Sequence, residues 1–172
     1  DVHHFKYTYR MIHDFFKEFQ YVDIDGYGDK VEQLYWERGQ PSGNTEHQIW
    51  WRATKRINRF VRYFLKFNYQ TLYHGKHETM FQGHKMKTNM ADSIFRIEMY
   101  VQFDYNNKFK DHWFLKHFEN IFMKRIYLEK RKMHRQEAYS DAIKLTNKIK
   151  RALGMKTPIS MPKSFRSEKM IT

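Results

Sequence analysis

The chain of 172 residues contains no cysteine. That excludes disulfides, thiol catalysis and cysteine-based zinc or iron–sulfur centres. Proline is nearly as scarce, at Pro41, Pro158 and Pro162, and no glycine falls between Gly83 and Gly154. Gly and Pro are the strongest local breakers of regular structure, so their absence from His84 to Leu153 predicts long helix. No apolar run approaches the roughly 18 residues of a membrane span. Lys or Arg interrupts every promising stretch, as in Phe60-Val61-Arg62-Tyr63-Phe64-Leu65-Lys66. There is no G-x-S-x-G elbow and no Walker loop, and Gly26-x-Gly28 alone is no dinucleotide fingerprint. Without a reactive constellation the chain reads as non-enzymatic, with no catalytic residue, no cofactor and no metal expected. No targeting peptide is visible, and a start at Asp1 instead of Met reads as a processed or trimmed N-terminus.

What the chain has in excess is rings and positive charge. Fifteen Phe, twelve Tyr and four Trp are too many for one thin helical layer to hide, so some are expected to meet a partner. A net charge of +13 points to nucleic acid, an anionic membrane surface, or a place as a basic subunit in a larger assembly.

Residues 3–20 read as a first helix, with Phe5, Tyr9, Ile12, Phe16 and Phe19 along one stripe. Tyr21 to Gly43 reads as an acidic, glycine-containing loop with a short helix at Val31–Glu37. Thr45-x-x-Gln48 matches a capping box, and Ile49, Ala53, Ile57, Phe60, Val61 and Phe64 follow at spacings of three and four. Gly75 and Gly83 bracket a His-rich link, and Asp92 or Ser93 caps the next predicted helix. That helix carries Ile94, Ile97, Val101, Tyr105, Phe109 and Trp113, then Phe114, Phe118, Ile121 and Phe122, with a break at Asp104-Tyr105-Asn106-Asn107. Ala138, Ala142, Leu145, Ile149 and Ala152 continue the pattern. Lys148, Lys150 and Arg151 suit its C-terminus, and Gly154 supplies the left-handed stop. The expected fold is all-α: long extended helices, an irregular acidic loop, an extended C-terminal tail and no compact globular enzyme core. The expected divisions are 1–44, 45–154 and 155–172.

Three stretches invite chemistry. Around Gly26, residues Asp23, Asp25, Asp29 and Glu32 fall on EF-hand ligand positions, but Tyr21 stands where the first carboxylate belongs. The stretch reads as a capped acidic turn beside basic neighbours. His74, His77 and His84 cluster in sequence, yet Phe81 occupies the place of the second histidine in H-E-x-x-H, so they read as loop histidines. The basic residues Lys124, Arg125, Lys130, Arg131, Lys132, His134 and Arg135 can grip phosphates, with Trp50, Trp51, Tyr63 and Tyr69 as possible stacking rings. No RNP-like, zinc-finger or helix-turn-helix signature accompanies them.

From Phe60 onward a series of short motifs keeps a recognisable order: Phe60-Val61-Arg62-x-Phe64-Leu65, Tyr73-His74, Glu98-Met99, Asp104-Tyr105 and Ala138-Tyr139-Ser140-x-Ala142-x-Lys144. In this order the chain resembles the PDSW accessory subunit of mitochondrial respiratory complex I (NADH:ubiquinone oxidoreductase), over about residues 60–153. It departs from that family in lacking the cysteines that pair there, and in a shorter segment between Asp104 and Ala138. The resemblance implies a structural accessory subunit at the intermembrane-space side of the mitochondrial inner membrane, supporting assembly and stability by contact with other complex I subunits and lipid headgroups. Trp50, Trp51, Phe60, Phe64, Trp113, Phe118 and Tyr139 are its expected interface residues. The alternative is a basic RNA-contacting protein of the mitochondrial ribosome.

Overall fold

From Thr45 to Thr71 the buried residues fall at every second position, His47, Ile49, Trp51 and Ala53, then Val61, Tyr63, Leu65, Phe67, Tyr69 and Thr71, with Thr54, bridged to Val22, as the one exception. That is the period of a strand with one covered face, not of a helix. A computed structural model describes residues 5–25, 28, 30–81 and 84–155. In it the chain forms α1 (Phe5–Glu18), β1 (Glu32–Gly39), β2 (Thr45–Arg56), β3 (Val61–Phe81), β4 (His84–Phe103), α2 (Lys108–Asp111), α3 (Leu115–Ile121), a π-helical turn (Phe122–Ile126) and α4 (Leu128–Ala152). The strands make one four-stranded antiparallel meander in the order β1-β2-β3-β4.

The all-α expectation is therefore overturned by a mixed α/β fold with a packed core. The helix expected from Thr45 is β2 and β3, and the one expected from Asp92 begins as β4. The proposed short helix at Val31–Glu37 is largely β1. Spacings of three and four exist in these stretches because apolar residues occupy both parities of each strand. The alternating set is the one that packs, since cross-strand partners decide burial in a sheet. Thus Trp51 lies opposite Phe67, and Phe67 opposite Ile97, all facing inward.

Both long helices cover this inner face. α1 buries Thr8, Met11, Ile12, Phe15 and Phe16. Its rings meet β2 and β3, with Phe16 at 5.8 Å and Tyr9 at 5.0 Å from Trp51, and Phe5 at 5.6 Å from Tyr69. α4 buries a stripe of His134, Ala138, Asp141, Leu145 and Ile149, spaced by three and four as a covering helix requires. Lys148 of α4 joins α1 by a 2.8 Å ion pair with Glu18. Two stops read from the sequence are present. The chain leaves the sheet at Asp104, with φ 50° there and 55° at Asn107. α4 ends at Ala152 with Gly154 at φ 69° and the Met155 N–H donating to the Lys150 carbonyl at 2.8 Å. The expected extended tail, from Lys156, lies outside the described residues.

Candidate nucleic-acid interface

A sheet covered on one face leaves the other largely to solvent. The even-numbered residues of β2, of β3 as far as the bulge at Leu72–Gly75 and of β4 from Asp92 onward make up that outer face, with Thr54 alone among them buried. Trp50 lies opposite Leu34 and Asn68, while Trp36 lies opposite Gln48. Phe64 and Tyr100 face each other directly across β3 and β4, with ring centroids 6.4 Å apart. Trp50 keeps 43% of its surface exposed, Tyr100 44% and Trp36 39%. The Trp50 and Phe64 stations are separated by about 13 Å along the strands, because Asn68 opposes Trp50 and lies four residues from Phe64.

Cations stand over these rings. The Lys66 ammonium lies 5.0 Å from the Tyr100 centroid and 5.9 Å from that of Phe64. The Arg52 guanidinium lies 5.7 Å from Trp50 and is held there by donating at 2.8 Å to Asn68 Oδ1. At the far end Arg62 and Arg56 approach the Tyr105 ring at 5.1 and 5.8 Å. Tyr100 donates at 2.8 Å to Glu98 Oε2, and that bond raises its phenol above the ordinary value. Rings open to solvent and flanked by Arg and Lys can take bases on their faces and phosphates on their cations.

The positions singled out from sequence separate into different surroundings. Trp50 and Phe64 share the outer face, whereas Trp51 is fully buried, donating through Nε1 to Glu32 at 3.2 Å. Tyr63 and Tyr69, read as stacking candidates, are buried too, and burial pushes both phenols up. Phe60 packs at the end of the sheet against Phe103, Phe109, Phe122 and Tyr127. Trp113 and Phe118 are exposed on the helical segment after β4, and Tyr139 is exposed on α4. Of the basic run, His134 is buried in the core, its Nδ1 3.0 Å from the Tyr63 hydroxyl. Trp36 and Tyr100 were missed; alternation across β1 and β4 is the signal that finds them.

The acidic stretch does not close into an EF-hand. A strand follows it where a second helix is required, and Glu32 turns to the core to accept from Tyr9 at 2.6 Å. Gly26 and Asp29 lie outside the described residues. His74 packs at 5.3 Å from His47, within β3 and not in a loop, and no group of three metal-ligating side chains occurs among the described residues. Between β2, β3 and α4 opens a cleft of about 370 Å³ lined by Lys55, Tyr63, Glu137, Ser140, Asp141 and Lys144. Its polar groups bolt α4 to the sheet. Asp141 accepts from Tyr21 at 3.2 Å and pairs with Lys55 at 3.5 Å and Lys144 at 3.4 Å, while Tyr63 donates to Glu137 at 2.5 Å.

No protein-family model, curated protein or solved structure matches the chain significantly. The assignment of function therefore rests on these surfaces.

Proposed function

We propose that the protein binds single-stranded RNA on the outer face of its sheet, acting by contact. Trp50, Phe64 and Tyr100 offer stacking faces, and Arg52, Arg56, Arg62 and Lys66 meet the phosphates. The observation that carries this reading is the coupling of outer-face rings to cations, above all Lys66 over the half-buried Phe64 and the exposed Tyr100. A covered face would bury such rings, and a purely solvating face would not need them. The net charge of +13 supports the long-range attraction that such binding uses.

Fluorescence anisotropy with labelled single-stranded RNA tests the reading. Binding is expected to weaken steeply with salt, and Lys66→Ala to flatten the slope of log affinity against log salt by about 0.7, one phosphate contact on a single strand. Tyr100→Ala is expected to weaken binding by about five- to 150-fold, since base–aromatic stacking is worth roughly 1–3 kcal/mol. Salt-independent affinity, or affinity unchanged in Tyr100→Ala, refutes the assignment.

The accessory-subunit role in complex I is the second contact-type reading. Its support is the order of the motifs, with Tyr139 exposed inside the closing one on α4. The long rods that favoured it are replaced by strands over most of residues 60–103. No helix among the described residues is long and apolar enough to cross a membrane. Co-migration with NADH dehydrogenase activity in mild detergent is the result that would select this reading over RNA binding.

A further inference from the structure

After β4 the chain builds a short helical segment with two aromatic sides. One side fastens it to the end of the sheet. Phe109 and Phe122 stack 5.1 Å apart and sit 5.4 and 5.8 Å from Phe60, and Tyr127 closes the cluster at 5.5 Å from Phe122. Asp104 fixes the entry by accepting the Phe109 N–H at 2.9 Å.

The other side is open. Trp113 is 75% exposed and Ile126 72%, with Phe114, Phe118 and Ile121 exposed between them. Phe114, Phe118 and Ile121 are spaced by four and three and so share a face of the helix. The Phe114 and Phe118 rings lie 4.8 Å apart, and Trp113 is 5.8 Å from Phe114. Exposed Lys108, Lys116, Lys124 and Arg125 flank them, against Asp111 and Glu119. This segment is anchored on its inner side, so the open rings are not awaiting a fold partner within the described chain.

We propose that this side docks on an anionic lipid bilayer, with Trp113, Phe114, Phe118 and Ile121 entering the boundary between headgroups and acyl chains. The charge pattern selects this occupant. Cores of protein–protein interfaces are depleted in Lys, whereas a membrane surface accepts a ring of Lys and Arg whose stems lie along it and whose heads reach anionic headgroups. Trp and Phe on one side with cations beside them is the composition of an interfacial helix. The inference does not depend on RNA binding, since it uses a different surface.

Flotation of the full chain with vesicles tests it. Binding is expected to phosphatidylcholine vesicles containing phosphatidylglycerol at low salt, and to be weak on phosphatidylcholine alone. Trp113→Ala combined with Phe118→Ala is expected to lower partitioning by about tenfold or more, as loss of two buried rings requires. Lys124→Glu with Arg125→Glu should abolish the preference for anionic vesicles, while Trp50→Ala should leave flotation unchanged. Brominated lipid should quench tryptophan emission in the parent chain and far less in Trp113→Phe, which should itself still float. Equal flotation on neutral and anionic vesicles overturns the proposal, as does absence of flotation at low salt or indifference to the double aromatic substitution. A dimer in light scattering that the aromatic substitution converts to monomer would assign this side to a second copy of the chain and overturn lipid docking.

Discussion

Trp50 and Trp51 are neighbours in sequence and opposites in the fold, which makes the pair a test of fold and function together. Trp51 is fully buried, stacked 5.4 Å from Phe67 and edge-on to Tyr9 and Phe16, and it donates to Glu32. An aromatic side chain of this size buries roughly 150–250 Å², worth about 4–6 kcal/mol at ~25 cal/mol per Å². Measured truncations of buried rings fall at about 3–5 kcal/mol. Trp51→Ala is therefore expected to lower unfolding free energy by about 4 kcal/mol, a large share of what a domain of this size holds. Trp50→Ala removes a ring that keeps 43% of its surface exposed on the outer face beside Arg52, so its effect on stability is expected to be about 1 kcal/mol, well below that of Trp51→Ala. The same substitution should weaken single-stranded RNA binding by about five- to 150-fold. Urea titration followed by far-UV circular dichroism reads the first quantity, and anisotropy the second. In a helix the two rings would sit only about 100° apart and would lose comparable amounts. Equal destabilisation would refute the strand and its two faces; a stable Trp50→Ala protein with parental RNA affinity would refute only the binding surface.

Three further outcomes follow from the core and from the end of α4. His47 is held below its ordinary pKa of 6.5 chiefly by burial, which outweighs the pull of Glu37 3.9 Å away. The unfolded chain then takes up a proton first as pH falls, so stability should be full above about 6.5 and drop below it until the folded histidine also protonates. His74, lowered by burial as well, adds to the same trend. His47→Gln should flatten the pH dependence of the urea midpoint. Asp141→Ala strips the acceptor shared by Tyr21, Lys55 and Lys144 and should lower stability by about 2 kcal/mol, a value reduced because both lysines are partly solvated. Thermal unfolding should show it, and parental stability would mean that these bonds do not hold α4 down. Gly154→Ala forces a side chain into the left-handed region at φ 69° and should lower stability by about 1 kcal/mol, with fraying of α4 visible in amide exchange.

Local signals in this chain were legible wherever the deciding contacts are local. The stripe of α1 is one case. The end of α4, with Lys150 and Arg151 before a left-handed Gly154, is another, and the break at Asp104–Asn107 a third. A helix makes its hydrogen bonds within its own residues, so its ends are written where they occur. Interleaved rings and cations were also visible, but not which ring faces out. Of Trp50, Trp51, Tyr63 and Tyr69, the first is exposed and the other three are core.

The absence of glycine and proline from His84 to Leu153 pointed to regular structure without choosing between helix and long strand. That choice belonged to partners far along the chain. Trp51 becomes a core residue because Phe67 and Phe16 close over it, and Tyr63 because His134 on α4 reaches it. The sequence by itself determined a basic, ring-rich, cysteine-free chain with two well-marked helices. Only the tertiary structure decided that the middle is a sheet and which parity of its rings meets solvent, because a strand's hydrogen bonds and burial are supplied by other strands and not by its own neighbours.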